Sequence, residues 1–473
     1  MKRAKRICAL LGVLAVVCIV TVFVVKHEEK QENIRNSGEV VLEVDADSVQ
    51  SISWENESDS LSFHKEDGWL YDDDTAFPVN EEKINELIGQ FEAFSAAFII
   101  EEVSDYSQYG LDNPICTIEL ATEETTYEIT LGNYSAMDSQ RYVSIGDGNV
   151  YLATNDPLDY FDATLSDMIL NDETPSFDHA ESIDFKGSDS YHVVYQEYTE
   201  DSPYTYCEDD VYFKENGEEL LPLDTSLVNS YLSSITYLDL SDYMTYNAGE
   251  EDLATYGLDD PELTVTVQYT PDEEDGSEAT SQTFTISISR DPEERQKAES
   301  TTDDSDSEDD EEEVTAYARI GDSKIIYKIS SSSYESLMAA SYNDLRHSEV
   351  LTASFDDITS MDISLDGTVY TITTDGKGEN KTFHYGEEEI SIDDLQSALE
   401  DMTASSFTDE RPSQKEGIAL TIYLDNEVHP QVEIQLYRYD GENCLVLIDG
   451  EPVSLVPRSD VVDLIEAINA IVL

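Results

Sequence analysis

Basic residues are scarce in this chain: 25 Lys and Arg stand against 105 Asp and Glu in 473 residues, a formal net charge of −80. So acidic a surface repels nucleic-acid phosphates and anionic lipid headgroups. It excludes both as partners of the folded part and leaves only diffuse cation gathering at the most acidic runs. Cysteine is equally sparse, with five in all. Cys8 and Cys18 fall in or beside an apolar N-terminal run, while Cys116, Cys207 and Cys444 are far apart, so neither a disulfide framework nor a CxxC pair exists. These three read as small buried hydrophobes on strands. The seven histidines share no common spacing, and HExxH, GxSxG, the P-loop and GxGxxG are all missing. Nucleophilic catalysis needs Ser or Cys beside a base, usually His, and no such constellation is legible. Carboxylate pairs of the glycosidase kind carry no signal where 105 acids supply countless pairs. The expectation is a protein that is not an enzyme, with no catalytic residue, no cofactor and no metal site.

What is present begins at the N-terminus. Lys2, Arg3, Lys5 and Arg6 precede an uncharged run, ICALLGVLAVVCIVTVFVV, from Ile7 to Val25. At ~1.5 Å per residue this run spans roughly 28 Å, close to the hydrocarbon thickness of a bilayer. A cleaved signal peptide wants small residues before its cleavage site, and VFVVKHEE offers none. Val17 precedes Cys18, which speaks against a lipoprotein. The reading is a cytoplasmic basic tail at 1–6, a transmembrane anchor at 7–25 and a linker at 26–38. The positive-inside rule then places the bulk of a single-pass cell-membrane protein outside the cytoplasm.

Beyond the linker, 40% hydrophobic residues and 29 tyrosines suffice to build cores, and the length allows two or three domains. The phrase YGLDNP at 109–114 recurs as YGLDDP at 256–261, which prompts a search for internal repeats. Asn80 can cap a helix bearing Ile84, Leu87, Ile88, Phe91 and Phe94. Asp224 can cap another bearing Val228, Tyr231, Leu232, Ile235 and Leu238, with identical spacing. An aromatic strand precedes each helix, GWLYDD at 68–73 and DVYFKE at 210–215. After each YGLD come a hairpin (CTIELAT with TTYEITLG, LTVTVQYT with TFTISISR) and a Gly-Asp turn (RYVSIGDGNVYLA, AYARIGDSKIIYKI). Each copy then closes in an apolar-periodic helix, at 159–169 and 333–345. A worn third copy runs from a helix capped by Ser391 through IALTIYLD, VEIQLYRY and CLVLIDGEPVSLV to SDVVDLIEAINAIVL, with KEGIA in place of YGLD and only Gly417 retained.

The expected fold class is therefore α+β: one N-terminal transmembrane helix, then three tandem repeats of antiparallel sheet plus two helices each. The repeats lie at 39–172, 176–346 and, degenerate, 355–473. The acidic insertion at 291–314 has almost no apolar residues and reads as a disordered loop, because it cannot offset its ordering entropy. Its DxDxE spacing at 304–308 lacks the glycine of a calcium loop. The YGLD phrase reads as a structural motif. Gly110 and Gly257 suit a left-handed turn, and Pro114 and Pro261 launch the next strand. Asp112 and Asp259 are placed to bond nearby amides, and Tyr109, Leu111, Tyr256 and Leu258 pack inward.

With the repeats laid out, the chain resembles the bacterial domain-of-unknown-function family 4340. The resemblance rests on YGLDxP, the hairpin after it, the two Gly-Asp-turn strand pairs and SYNDLRHSEVL at 341–351. It implies a membrane-anchored extracytoplasmic protein, often encoded near ABC-type exporters, with an accessory or scaffold role that binds a partner protein of such a system. It carries over no catalytic residue. The competing expectation, from the tyrosine-rich strands, is a module that binds cell-wall glycan or peptide.

Overall fold

The computed structural model describes residues 38–57, 59–101, 103–271, 280–300, 313–376 and 381–472. The chain falls into two compact units, one running to Asp172 and including Ser241–Ala248, the other formed by Glu173–Leu240 and Gly249–Leu473.

Three nine-stranded antiparallel sheets dominate. The first comprises β1 (Glu39–Leu42), β2 (Val49–Asn56), β3 (Ser60–Lys65), β4 (Trp69–Tyr71), β5 (Phe94–Ile100), β6 (Cys116–Thr122), β7 (Thr126–Ser135), β8 (Gln140–Ser144) and β9 (Val150–Ala153). The second comprises β10 (Ala180–Gly187), β11 (Tyr191–Tyr195), β12 (Tyr212–Asn216), β13 (Glu219–Pro222), β14 (Tyr243–Thr245), β15 (Leu263–Tyr269), β16 (Gln282–Arg290), β17 (Ala316–Ile320) and β18 (Ile326–Ile329). The third comprises β19 (Ile358–Leu365), β20 (Thr368–Asp375), β21 (Thr382–Tyr385), β22 (Glu388–Ile390), β23 (Ser406–Phe407), β24 (Glu416–Leu424), β25 (Gln431–Arg438), β26 (Asn443–Ile448) and β27 (Glu451–Pro457).

Seven strands keep one order in every sheet: β4-β3-β2-β6-β7-β8-β9, β12-β11-β10-β15-β16-β17-β18 and β21-β20-β19-β24-β25-β26-β27. Registers match too. Leu131 faces Cys116 as Ile288 faces Leu263, so Gly132 and Ser289 occupy the same place one residue on.

Alternation explains why these segments are strands with one face buried. Along β24 Ile418, Leu420, Ile422 and Leu424 point inward, and along β25 Val432, Ile434 and Leu436 do the same. The third core is completed by Leu395 and Leu399 of the Asp393–Glu400 helix and by Leu464 and Ile468 of the Arg458–Val472 helix. In the first unit Trp54 stacks on Phe63 and meets Phe161 edge-on, while its indole N–H donates to the Ala163 carbonyl. In the second sheet's layer Tyr231 packs edge-on against Phe185 and donates its hydroxyl to the Leu337 carbonyl.

This corrects the expected fold class. The sheets carry nine strands where far fewer were anticipated, and helix is the minor component. Of the strands outside the common seven, β1, β13, β14, β22 and β23 are two to four residues long, too short for an alternation to show. Nor do all three modules end in one closing helix. The first breaks into Leu158–Phe161 and a 3-10 turn Leu165–Met168, the second into Ser331–Met338 and Tyr342–Leu345. Capping boxes at Thr164 and Ser341 restart the chain, while apolar periodicity runs on across each break. Only the third module closes with a continuous helix.

The remaining expectations divide by position. Residues 1–6, 7–25 and most of the 26–38 linker lie outside the described residues. Among the described ones no helix is long and apolar enough to cross a membrane. Within the acidic insertion, Pro292–Ser300 is helical, contrary to the expected disorder. Pro at the first helical position, the Asp291 carboxylate accepting from Glu293 N–H and two further acids in the first turn start the helix. Residues 301–312 lie outside the described residues. Cys116 and Cys444 are buried on β6 and β26, but Cys207 sits in a loop.

Candidate functional site

The repeated phrase lands where the chain turns into the central hairpin of the first two modules. Tyr109 ends the 3-10 turn Tyr106–Tyr109, and Tyr256 follows the Glu250–Thr255 helix. Gly110 and Gly257 take φ of 70° and 69°, the left-handed region. Leu111 and Leu258 are buried, Tyr109 packs on Tyr142 and Tyr256 on Tyr317. Asp112 and Asp259 are exposed, and Pro114 and Pro261 stand just before β6 and β15. These residues build a junction, and none of them lines the groove described below. Gly417 is no counterpart, since it lies within β24 without a positive φ.

Two other groupings have chemical content. The first is a groove of about 490 Å³ in the third module. It lies between the Asp366–Gly367 turn, the start of β24, the end of β25 and the Arg458–Val472 helix, and Lys415, Arg438 and Arg458 line it. Asp366 and Glu416 also border it, and Val462 and Ile465 supply apolar wall. Burial raises the pKa of the Cys444 thiol, while Arg458 and Arg438 pull it back, a sign of how near both guanidinium groups come. Three of only 25 basic residues thus meet at one concavity of a chain that is otherwise overwhelmingly acidic.

The second grouping lies in the second unit, where the chain passes from the second module to the third. Asp224 caps the Thr225–Thr236 helix, its Oδ1 accepting from Ser226 N–H at 2.8 Å and Leu227 N–H at 3.2 Å. Its own N–H donates to Leu345 O at 3.0 Å, which draws the segment after Leu345 alongside. From the other side the third module holds that segment: Val350 N–H donates to Met402 O and Ala404 N–H to Ser348 O. His347 and Glu349 project from it. His347 Nε2 lies 2.7 Å from Asp210 Oδ1, and Nδ1 lies 3.7 Å from Glu349 Oε2. Asp210 is 1% exposed and its other oxygen accepts from the buried Thr205 hydroxyl.

Burial works against a charged His347 and is the largest influence on it. The Asp210 hydrogen bond and the charges of Asp210, Asp224 and Glu349 outweigh it together and raise the imidazole pKa. Glu349 Oε2 is screened from solvent yet has no hydrogen-bond partner. One ligand atom each from Asp224, His347 and Glu349 fall within 4.8 Å of one another. Sequence reasoning missed this cluster because Asp210 and His347 are 137 positions apart. The one local signal was HSE at 347–349, which puts two donors on one side of an extended segment.

Comparison with known proteins adds one finding. Residues 69–193 and 216–420 match the family described as Domain of unknown function (DUF4340). The chain belongs to that family. No curated protein and no solved structure matches it. The match to the DUF4340 family includes Asp224, His347, Glu349, Lys415 and both YGLD phrases. The loop bearing Thr205 and Asp210 falls between the two matched stretches, and Arg438 and Arg458 fall beyond the second.

Proposed function

We propose that the chain is a non-enzymatic scaffold of the bacterial cell envelope, attached at the membrane through residues 7–25, whose modules hold a partner protein of an ABC-type transport system. The observation that carries the binding reading is the third-module groove, where Lys415, Arg438 and Arg458 converge on an apolar wall. A groove of that charge in so acidic a protein selects a carboxylate-bearing segment. Guanidinium groups pair with carboxylates in two-pronged geometry. The repeated sheets supply rigid mounting, and the envelope placement rests on the basic and apolar N-terminal sequence.

The test is crosslinking in intact cells followed by purification of the full chain, beside an Arg438→Glu/Arg458→Glu variant. Wild type should recover a transporter component and the variant should lose it. Equal recovery by both removes the groove from the reading, and recovery of no transporter component by either refutes the scaffold role. Retention of wild type on purified peptidoglycan, abolished in the variant, would instead assign the groove to cell-wall peptide carboxylates.

A further inference from the structure

We infer that Asp224, His347 and Glu349 form a site for one divalent transition-metal ion, of the Zn²⁺ class, with Asp210 as the carboxylate that orients the histidine. A carboxylate only accepts hydrogen bonds, so Asp210 fixes the proton of neutral His347 on Nε2. The Nδ1 lone pair is then directed toward Glu349. This is the carboxylate–histidine pairing that metal-ligating imidazoles show almost universally. Here the outer carboxylate is deeply buried and further held by Thr205.

The second observation is Glu349 Oε2: the side chain is 41% exposed, but this oxygen is turned from solvent and has no hydrogen-bond donor, His347 Nδ1 standing 3.7 Å away. Such an atom is costly to leave bare, and a cation satisfies it. Asp224 binds both helix amides through Oδ1, which leaves Oδ2 for the ion. Ligand atoms around a tetrahedral Zn²⁺ sit about 3.3–3.5 Å apart, given Zn–N and Zn–O near 2.0–2.2 Å. The three ligand atoms lie within 4.8 Å of one another, so the cluster contracts to reach that size when an ion enters. One imidazole and two carboxylates suit borderline metals better than Ca²⁺ or Mg²⁺, which prefer all-oxygen shells.

The first module shows that the fold does not demand these residues. There Asn80 caps the matching helix and its N–H donates to Met168 O, as that of Asp224 does to Leu345 O. Two residues beyond that carbonyl stands Leu170, where the second module has His347. The frame is the same: Asp172 stands where the second module has Glu349, while the donors Asp224 and His347 are particular to the second module. Because His347 and Glu349 lie on the segment gripped by the third module, the ion would pin that segment to the Asp224-capped helix.

The experiment uses full-length protein in detergent, stripped with a chelator and held in excess Mg²⁺ so that diffuse acidic sites are filled. Zn²⁺ is then titrated by calorimetry, and Co²⁺ is followed by visible d–d absorption. One Zn²⁺ per chain should bind despite the Mg²⁺, and Co²⁺ should report a low-symmetry N/O site. Asp224→Asn keeps a side-chain cap of equal quality, so it should leave melting in chelator unchanged while weakening Zn²⁺ more than tenfold. Glu349→Gln should act likewise, His347→Ala should abolish the site, and Asp210→Asn should weaken it about 10–100-fold. If His347→Ala fails to fold, Asp224→Asn decides. Zn²⁺ binding by Asp224→Asn and Glu349→Gln at wild-type strength, or no Mg²⁺-resistant Zn²⁺ in wild type, would overturn the assignment.

Discussion

Replacing Gly257 by alanine tests the role of the repeated phrase most directly. At φ 69° an L side chain sits in the left-handed region, which costs about 1–2 kcal/mol. The added methyl would also stand 2.9 Å from Ser289 Oγ and 3.3 Å from Pro292 Cγ. Ser289 is fully buried, so its hydroxyl has little room to yield. Crowding of this kind adds about 1–3 kcal/mol. Alanine also restricts the unfolded chain and returns about 0.4–1 kcal/mol. The net expectation is a loss of about 2–3 kcal/mol. For a cooperative unit of this size that lowers the melting temperature by roughly 4–10 °C. Gly367 is the control: its φ is 81°, but nothing lies within 4 Å of an added methyl. Gly367→Ala should therefore cost only about 1 kcal/mol, the backbone part alone. Adding Ser289→Ala to Gly257→Ala removes the nearest atom and should recover part of the difference, so the pair should be less than additive. Calorimetric melting in chelator reads these three variants and Ser289→Ala alone. If Gly257→Ala melts with Gly367→Ala, the turn is not pressed against β16 and the structural reading of YGLD fails.

Three further outcomes follow from charges. Arg141 is 8% exposed, with its Nε 2.6 Å from Asp156 Oδ1 and its Nη1 donating to Gly132 O. Asp156→Ala strands a buried guanidinium and should lower first-unit stability by about 3–5 kcal/mol in a urea titration; a loss below about 1 kcal/mol would contradict the burial. Arg411 and Glu451 form a pair with both side chains largely exposed, so Glu451→Ala should lower the stability read from a urea titration by less than about 1 kcal/mol, and a larger loss would refute that. His64 is raised above 6.5, chiefly by its hydrogen bond to Asp72. Its small contribution is complete below pH 6.5 and fades as pH rises through the folded value. In an NMR titration its midpoint should lie above 6.5 and fall back in Asp72→Asn, and a midpoint at or below 6.5 would refute the pairing.

What was legible in the sequence follows from range. Asn80 and Asp224 announce helix starts because a cap acts over three residues, and both accept from the amides two and three positions on. Long strands such as β24 and β25 announce themselves by alternation. The two- to four-residue strands at the sheet margins have no such period, and their pairing is decided by neighbours distant in the chain. The breaks at Thr164 and Ser341 were hidden by apolar residues that keep helical spacing on both sides. Pro292–Ser300 misled in the opposite sense. Its composition speaks for disorder, while Arg295 donating to the Asp260 carbonyl and Glu294 accepting from Thr315 N–H tie it to the fold. The candidate sites were least legible. Asp210, Asp224 and His347 come together only through sheet topology, and Arg438 and Arg458 meet only where β25 ends beside the last helix.

The three modules give contrasts that separate fold from function. Where they agree, in the seven-strand order and the helix that follows the first strands, the residues answer to folding alone. Where they differ within that frame, the difference needs another cause. The second module replaces Asn80 by Asp224 and Leu170 by His347, exchanging neutral residues for metal donors at unchanged backbone positions. The third replaces a broken closing segment by an unbroken helix, and that helix supplies Arg458 and the apolar wall of the groove. Each change lies beside the closing segment, none in the central strands. That edge can vary because a closing segment packs on the sheet without entering its hydrogen-bond ladder, so new side chains there cost the core little. A chain that copies one sheet three times keeps its hydrogen-bonded frame constant and is free to place binding chemistry at the ends.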